Sequence, residues 1–435
     1  MNKNDIIAIL QDWNSWQKPL AVGVERPEYF LKLRKFLRSD QIVTVMGPRR
    51  AGKSFIMRQT AAGLVSEGVS PQDILMVNFE DPRFIGLDVQ LLERIYQTYL
   101  EFFAPKRKPY IFLDEVQEVP GWEKWVRMMH ELSKAKIVVS GSNANLLSRE
   151  LGTVLTGRHL DLNVLPLSFK EYLTFNNVTL HGPVDVLNRG VEIRGFLRSY
   201  METGSFPEVV FTESKKETLL NYFEDIIHKD LLRRFRIRKP EGLKALVKFY
   251  LSNPAAHVTF SSLGRSLKIS SESVEKFSGY FEQAYVVSFL KRFSFKVKEQ
   301  ERSPRKVYAV DTGLCNAVGF RFNENLGKLA ENIVFAQLRR KQLADPRFEV
   351  FYWKDDRHWE VDFVVKEGPI VSGLIQVCWD AGALKTRDRE IRGLLKALAD
   401  LKLDRALVIT DEEESEEKIK GAVIRFIPLW KWLVD

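Results

Sequence analysis

Residues 42–54 read IVTVMGPRRAGKS, and this stretch decides the fold. Ile42 to Met46 are five apolar or β-branched residues, the pattern of a strand buried on both faces. Gly47-x-x-x-x-Gly52-Lys53-Ser54 follows, and the chain then reads as a helix to about Val65. Strand, glycine loop and helix in that order are the context in which this spacing cradles phosphate groups. Gly47 and Gly52, with Pro48, Arg49, Arg50 and Ala51 between them, let backbone N–H groups close around an anion, and the helix N-terminus adds positive potential. Lys53 is expected to neutralise the β- and γ-phosphates of ATP, and the Ser54 hydroxyl to ligate Mg²⁺. Arg49 and Arg50 line the same loop, with solvent or a lid as the alternative facing.

Outward from the loop, short apolar runs alternate with helices. Strands are expected at 74–77, 110–113 and 136–140, and helices at 89–103 and 122–132, the pattern of a parallel, doubly wound sheet. The third strand ends in Asp114-Glu115. A carboxylate there can hold the water shell of Mg²⁺, and a second can polarise an attacking water. The next strand runs into Ser142 and Asn143, candidates for a polar contact to the γ-phosphate.

After about Pro166 helices take over (168–175, 193–203 and 215–236), reading as a helical lid. Three short helices and a strand pair then read as a winged helix. Here the charge collects: residues 229–306 carry 18 Lys/Arg against 7 Asp/Glu, an excess larger than the +9 of the whole chain. A basic block of this kind points to a polyanion such as DNA. A solvated Lys/Arg-rich surface is the other reading. The expected wing carries Lys291, Arg292, Lys296, Lys298, Arg302, Arg305 and Lys306 among Phe293 and Phe295, a composition suited to nucleic-acid backbones. The expected recognition helix, 271–282, holds Glu272, Glu275 and Glu282 beside Lys276, which opposes that use.

From about residue 327 the order is a helix, three strands, a helix and a strand. It resembles the restriction-endonuclease-like fold, which implies a Mg²⁺ site made of an acid on the first helix, an Asp, and a Glu-x-Lys pair. Glu331 and Asp362 match. Gln376 and Cys378 stand where the second acid and the lysine belong, so the site is expected to be degenerate and silent unless Lys366 or Lys385 fills the gap. Residues 412–417 read as a solvated acidic turn.

Taken together, the loop 47–54, FLDEVQ at 112–117, GSNA at 141–144, LTGR at 155–158, LPLSFKEY at 165–172 and GSFPE at 204–208 resemble the AAA-type ATPases of archaea and bacteria that carry a C-terminal domain of unknown function. Those proteins lie near the STAND and origin-recognition branches of the AAA+ class. The resemblance implies that Arg149 or Arg158 reaches nucleotide in cis or in trans, pairing with a carboxylate such as Glu150 being the alternative. It implies also that the Gly-x-Pro element at 204–208 touches nucleotide. The expected fold class is α/β: a P-loop NTPase core with a parallel sheet (1–165), a helical lid (166–240), a winged helix (241–310) and a restriction-endonuclease-like α/β domain (311–435). The function expected is Mg²⁺-dependent ATP hydrolysis driving a conformational switch on nucleic acid. A STAND-type scaffold binding a protein partner or a second copy, and an ATP-dependent nuclease, are the alternatives. No apolar run is long enough to span a bilayer and no leader pattern opens the chain. Two cysteines, Cys315 and Cys378, exclude a disulfide framework, so the cytoplasm is the expected compartment.

Overall fold

The computed structural model describes residues 1–143, 159–320, 325–380 and 384–435, without the side chains of 384–386. The chain divides into two compact units, 1–165 and 166–435. The segments expected as lid, winged helix and C-terminal domain all fall within the second.

The first unit is built on a five-stranded parallel sheet. Its strands are β1 (Ile42–Met46), β2 (Ile74–Asn78), β3 (Tyr110–Asp114), β4 (Lys136–Gly141) and β5 (His159–Asn163), in the order β2-β3-β4-β1-β5. All five residues of β1 are buried, as a strand covered on both faces requires. Val43 and Val45 pack with Leu33, Ile56, Met57, Phe112 and Val138 in one core. Because the strands are parallel, their C-terminal ends share one edge of the sheet. Gly47, Asp114 and Ser142 all sit at that edge, since β4 pairs with both β1 and β3.

The N-terminal segment goes beyond the sequence expectation here. The helix Lys3–Trp13 carries a capping box at Asn2 and Asp5. Behind it, Asn14 Oδ1 accepts from Met76 N at 2.7 Å, and its Nδ2 donates to Met76 O at 2.8 Å. Trp16 Nε1 donates to Ile74 O at 2.9 Å. These side chains satisfy the edge of β2 that would otherwise offer unpaired backbone groups.

The second unit holds two sheets. The smaller is antiparallel, of β6 (Ala256–Val258), β7 (Val287–Leu290) and β8 (Arg305–Ala309), in the order β6-β8-β7. The helices Glu241–Ser252, Phe260–Leu267 and Ser271–Gln283 precede or separate its strands. The expected strand pair is therefore three strands. The larger sheet is mixed, ordered β13-β14-β12-β11-β10-β9. Its strands are β9 (Phe348–Lys354), β10 (Glu360–Glu367), β11 (Ile370–Val377), β12 (Arg405–Thr410), β13 (Ser415–Ile419) and β14 (Ala422–Pro428). Helices Leu326–Ala344 and Leu384–Leu401 pack on it. Part of the segment read as an acidic turn is β13, an edge strand paired antiparallel to β14. Exposed and half-buried residues alternate along it and three of its five are charged, so its apolar signal is weak. No helix among the described residues is long and apolar enough to cross a membrane.

Candidate functional site

The sheet edge of the first unit gathers most of the expected residues. Gly47 has φ +154°, and a Cβ there would lie 1.9 Å from Val164 O. Only glycine lets the loop leave β1 this close to the neighbouring backbone. Gly52, at φ +96°, turns the loop into the helix Lys53–Ser66. Lys53 is buried, and its Nζ donates to Gly47 O and Pro48 O, both at 3.1 Å. It also lies 3.4 Å from Glu115 Oε1.

The two carboxylates are held differently. Asp114 is buried and accepts hydrogen bonds from the Ser140 and Ser54 hydroxyls. Burial and the adjacent Glu115 push its carboxyl up, against those two hydrogen bonds and the charge of Lys53. Glu115 has φ +52°, a left-handed conformation that costs a residue with a Cβ about 1–2 kcal/mol. Its N–H is fixed by Ser140 Oγ at 3.0 Å, and Gln117 Nε2 donates to its Oε2 at 2.5 Å. Burial acts to raise the Glu115 carboxyl, but Lys53 and then Arg49 outweigh it, so the group stays below the usual carboxylate range. The two neighbouring acids are thus shifted in opposite directions, Asp114 upward and Glu115 downward.

Arg49 does not face solvent. It is buried and pairs with Glu80 Oε1 at 2.5 Å. Arg50 is exposed at φ +66°. Ser142 and Asn143 are both buried directly after β4. Arg149 and Arg158 lie outside the described residues. A cradle that excludes side chains, a lysine bonded to the loop carbonyls and a serine facing an aspartate form the donor set that a Mg²⁺–nucleotide requires. These residues fit the cofactor their spacing implies.

Arg26 escaped the sequence reading. It is buried, and its guanidinium donates to Ala51 O in the glycine loop at 2.7 Å and to Leu165 O at 3.0 Å. It also lies over the Tyr29 ring, 4.4 Å from the centroid. Gln59 braces the same segment, accepting from Arg26 N at 3.1 Å and donating to Val22 O and Val24 O at 2.9 and 2.8 Å. An arginine before a Pro-initiated helix carries no motif, and only its burial marks it.

The second unit contains a cleft of about 880 Å³ lined by Glu331, Glu360, Asp362, Gln376, Glu390 and Lys306 among others. Glu331 and Asp362 meet there, as the order of elements implied. The lysine beside them is neither Lys366, which pairs with Glu349, nor one at position 378. The side chain of Lys385 is outside the described residues. Lys306 fills the place instead: its Nζ is 2.6 Å from Glu331 Oε1, 2.8 Å from Asp362 Oδ1 and 2.9 Å from Glu360 Oε1. Lys306 and Tyr308 are two residues apart on β8 and so share a face, and Tyr308 OH donates to Glu331 at 2.7 Å.

Burial and the nearby Asp362 lift the Glu331 carboxyl to about 7. For Glu360 burial acts upward, but His257 and Lys306 hold its carboxyl well below the usual range. Both amide atoms of Gln376 are engaged: its Oε1 accepts from Asp362 N at 3.0 Å and its Nε2 donates to Glu390 Oε2 at 2.7 Å. Cys378 is buried, which pushes its thiol up to about 11.

The expected basic wing is largely committed elsewhere. Besides the burial of Lys306, Lys291 pairs with Glu301 at 2.5 Å, Lys296 with Glu299 at 3.0 Å and Arg305 with Glu301 at 3.7 Å. Phe293 is part of the core of the larger sheet, and its N–H donates to Tyr352 O on β9 at 2.6 Å. Only Phe295 of the two aromatics is exposed. The Gly204–Glu208 element is tied within its own unit: Ser205 N and Oγ donate to Asp311 Oδ2 at 2.6 and 2.9 Å. A Cβ on Gly204 would stand 2.2 Å from that carboxylate.

Comparison with known proteins places these features. Residues 39–173 match the model of an AAA domain. Two domains of unknown function, DUF8612 and DUF4143, match residues 194–326 and 326–432. An uncharacterized protein of Methanocaldococcus jannaschii is 32% identical over 411 residues, covering 90% of this chain and 88% of the relative. An uncharacterized protein of Haemophilus influenzae is 29% identical over 415 residues, covering 94% and 98%. Among solved structures, the Walker-type ATPase of Pyrococcus abyssi aligns over 68% of this chain and 96% of that one, at 15% identity and a TM-score of 0.42.

Proposed function

The chain belongs to the P-loop AAA family that includes the uncharacterized Methanocaldococcus protein, and from that premise we propose that it binds and hydrolyses ATP with Mg²⁺ to drive a conformational switch. The observation that carries this reading is the convergence of Lys53, Ser54, Asp114 and Glu115 at one edge of a parallel sheet. Backbone N–H groups of Gly47 and residues 49–54, with the Lys53 and Ser54 side chains, would hold the phosphates, and Ser54 and Asp114 the Mg²⁺. When bound, Mg²⁺–ATP supplies the transferable γ-phosphoryl group and the cation that offsets its charge.

The chain's own residues do the rest. Lys53 leaves the loop carbonyls and places its ammonium against the phosphates. Glu115, ionised beside Lys53 and Arg49, orients a water and accepts its proton at Oε1 or Oε2. Ser140 positions both acids through Asp114 Oδ1 and Glu115 N. Ser142 and Asn143 are assigned contact with the γ-phosphate, and Arg158 a contact in cis or in trans.

Nucleic acid is the target we assign to the switch, through the exposed basic residues Arg233, Arg236, Arg238 and Lys239 and the exposed Lys298 and Arg302. The three helices and three strands of residues 241–309 are read as a winged helix. The ion pairs of Lys291, Lys296 and Arg305 favour a second reading, a STAND-type scaffold that uses this module to hold a protein. The test measures ATPase rate in wild type and Lys53→Ala, with and without single-stranded and duplex DNA. Loss of turnover in Lys53→Ala supports the ATPase, and wild-type rates in that variant overturn it. A salt-dependent stimulation by DNA separates the first target from the second.

A further inference from the structure

The restriction-endonuclease-like resemblance implies Mg²⁺ at the carboxylates of the second unit, and the residues present do not fit it. Among the described residues no group of His, Cys, Asp or Glu is arranged to hold a metal ion. The reason is visible at Lys306. An ammonium has three donors, and three carboxylates surround this one at 2.6, 2.8 and 2.9 Å. These are N–H···O separations, well beyond the 2.0–2.1 Å that Mg²⁺ demands of its oxygens. Two of the three remaining carboxylate oxygens are also committed. Asp362 Oδ2 accepts from Val377 N at 3.0 Å, Glu360 Oε2 from His257 Nε2 at 2.8 Å and Lys354 Nζ at 3.1 Å. Gln376 is spent on Asp362 N and Glu390.

We propose that the Lys306 ammonium is the resident cation of this cluster, standing where a divalent ion would sit, so that the cleft works without metal and does not cleave phosphodiesters. A lysine that assists cleavage must keep a donor for the phosphate. Lys306 is buried and spends all three on carboxylates. Its place on β8 gives it a second consequence: it fastens the smaller sheet to the helix Leu326–Ala344 and to β10. The inference is independent of the ATPase reading, because it concerns residues of the second unit alone.

Replacing Lys306 by alanine leaves three carboxylates around a hole, which is a divalent-cation site in the making. The experiment compares wild type, Asp362→Asn, Lys306→Ala and Lys306→Ala/Asp362→Asn without nucleotide. Mn²⁺ binding is followed by electron paramagnetic resonance, and thermal midpoints are taken in EDTA and in Mn²⁺. Wild type should bind no Mn²⁺ that Asp362→Asn removes, and its midpoint should ignore the metal. Lys306→Ala should melt lower in EDTA, take up one Mn²⁺ per chain and regain midpoint with it, and the double variant should lose both gains. Should Lys306→Ala emerge unfolded, refolding from urea with Mn²⁺ but not with EDTA supports the proposal. Folding in neither condition overturns it, as does Asp362-dependent Mn²⁺ binding by wild type. Metal-dependent DNA cleavage that Asp362→Asn abolishes also overturns it.

Discussion

Replacing Arg26 by methionine tests whether the glycine loop is held from outside its own motif. Methionine fills similar volume but removes both donors, leaving Ala51 O and Leu165 O without the guanidinium that now reaches them at 2.7 and 3.0 Å. Charge-assisted bonds contribute roughly 1.5–3 kcal/mol each, and the face of Tyr29 adds about 1 kcal/mol. Against this, methionine is spared the several kcal/mol of desolvation that a buried guanidinium costs. Two stranded buried carbonyls decide the sign, and a net loss of about 3 kcal/mol is expected.

Part of that loss falls on the loop itself, because Ala51 lies between the glycines. A loop that must be reordered by its ligand binds more weakly by the fraction of time it is ordered, so ATP affinity should drop about 10- to 100-fold. Arg26→Lys keeps the charge but offers a point donor in place of the fork, and should fall between. A fluorescent ATP analogue reads the affinity, and urea unfolding of the full chain reads the stability. An Arg26→Met protein with the affinity and midpoint of wild type would refute this role, leaving the guanidinium as filler.

Gly47→Ala should abolish nucleotide binding, because its Cβ would meet Val164 O at 1.9 Å, and retained affinity would show that the loop leaves β1 by another path. Glu115→Gln should still bind ATP but hydrolyse it about 100-fold more slowly or worse; failure to bind would make Glu115 structural. The Glu331 carboxyl, lifted to about 7, gives a pH dependence with a definite sign. Between about pH 4.5 and pH 7 the unfolded chain ionises Glu331 while the folded chain keeps the proton, so its contribution falls as pH rises through that window. The fall, about 3 kcal/mol at most, should vanish in Glu331→Gln, as urea midpoints at pH 5 and pH 7.5 will reveal. Lys298→Ala/Arg302→Ala should flatten the salt dependence of DNA binding by a log–log slope of about 0.9 for each phosphate that these side chains neutralise; an unchanged slope assigns the phosphates to other basic residues.

The nucleotide edge was legible because its constraints are local. A glycine loop, an apolar strand before it and an acid pair ending the third strand each occupy consecutive residues, and parallel topology then brings them to one edge. What escaped was contributed at long range by residues with no local signature. Arg26 meets Leu165 across 139 positions, and Asn14 meets Met76 across 62. Two of the edge strands, β5 and β13, escaped for another reason. In β5 only Leu162 is fully buried, and in β13 none of the five residues is, so neither offers the run of apolar positions by which central strands declare themselves.

Charge was the least legible quantity, and Lys306 shows why. A count over residues 229–306 treats every lysine as surface, whereas the free energy of an ammonium depends on what surrounds it. Sequence offered one clue: residues 305–309 read RKVYA, a strand whose alternation puts Lys306 and Tyr308 on one face beside apolar Val307 and Ala309. A lysine inside a buried strand must be paired or neutral, and two carboxylates spaced i, i+2 at Glu360 and Asp362 supply matching charge from one face of another strand. Within the cluster burial works to strip the proton from Lys306, but Asp362 and Glu331 reverse it and hold the ammonium far above its usual range. The same three acids that would have demanded a metal thus keep a lysine charged, and one residue leaves the basic surface to become the centre of a buried ionic cluster.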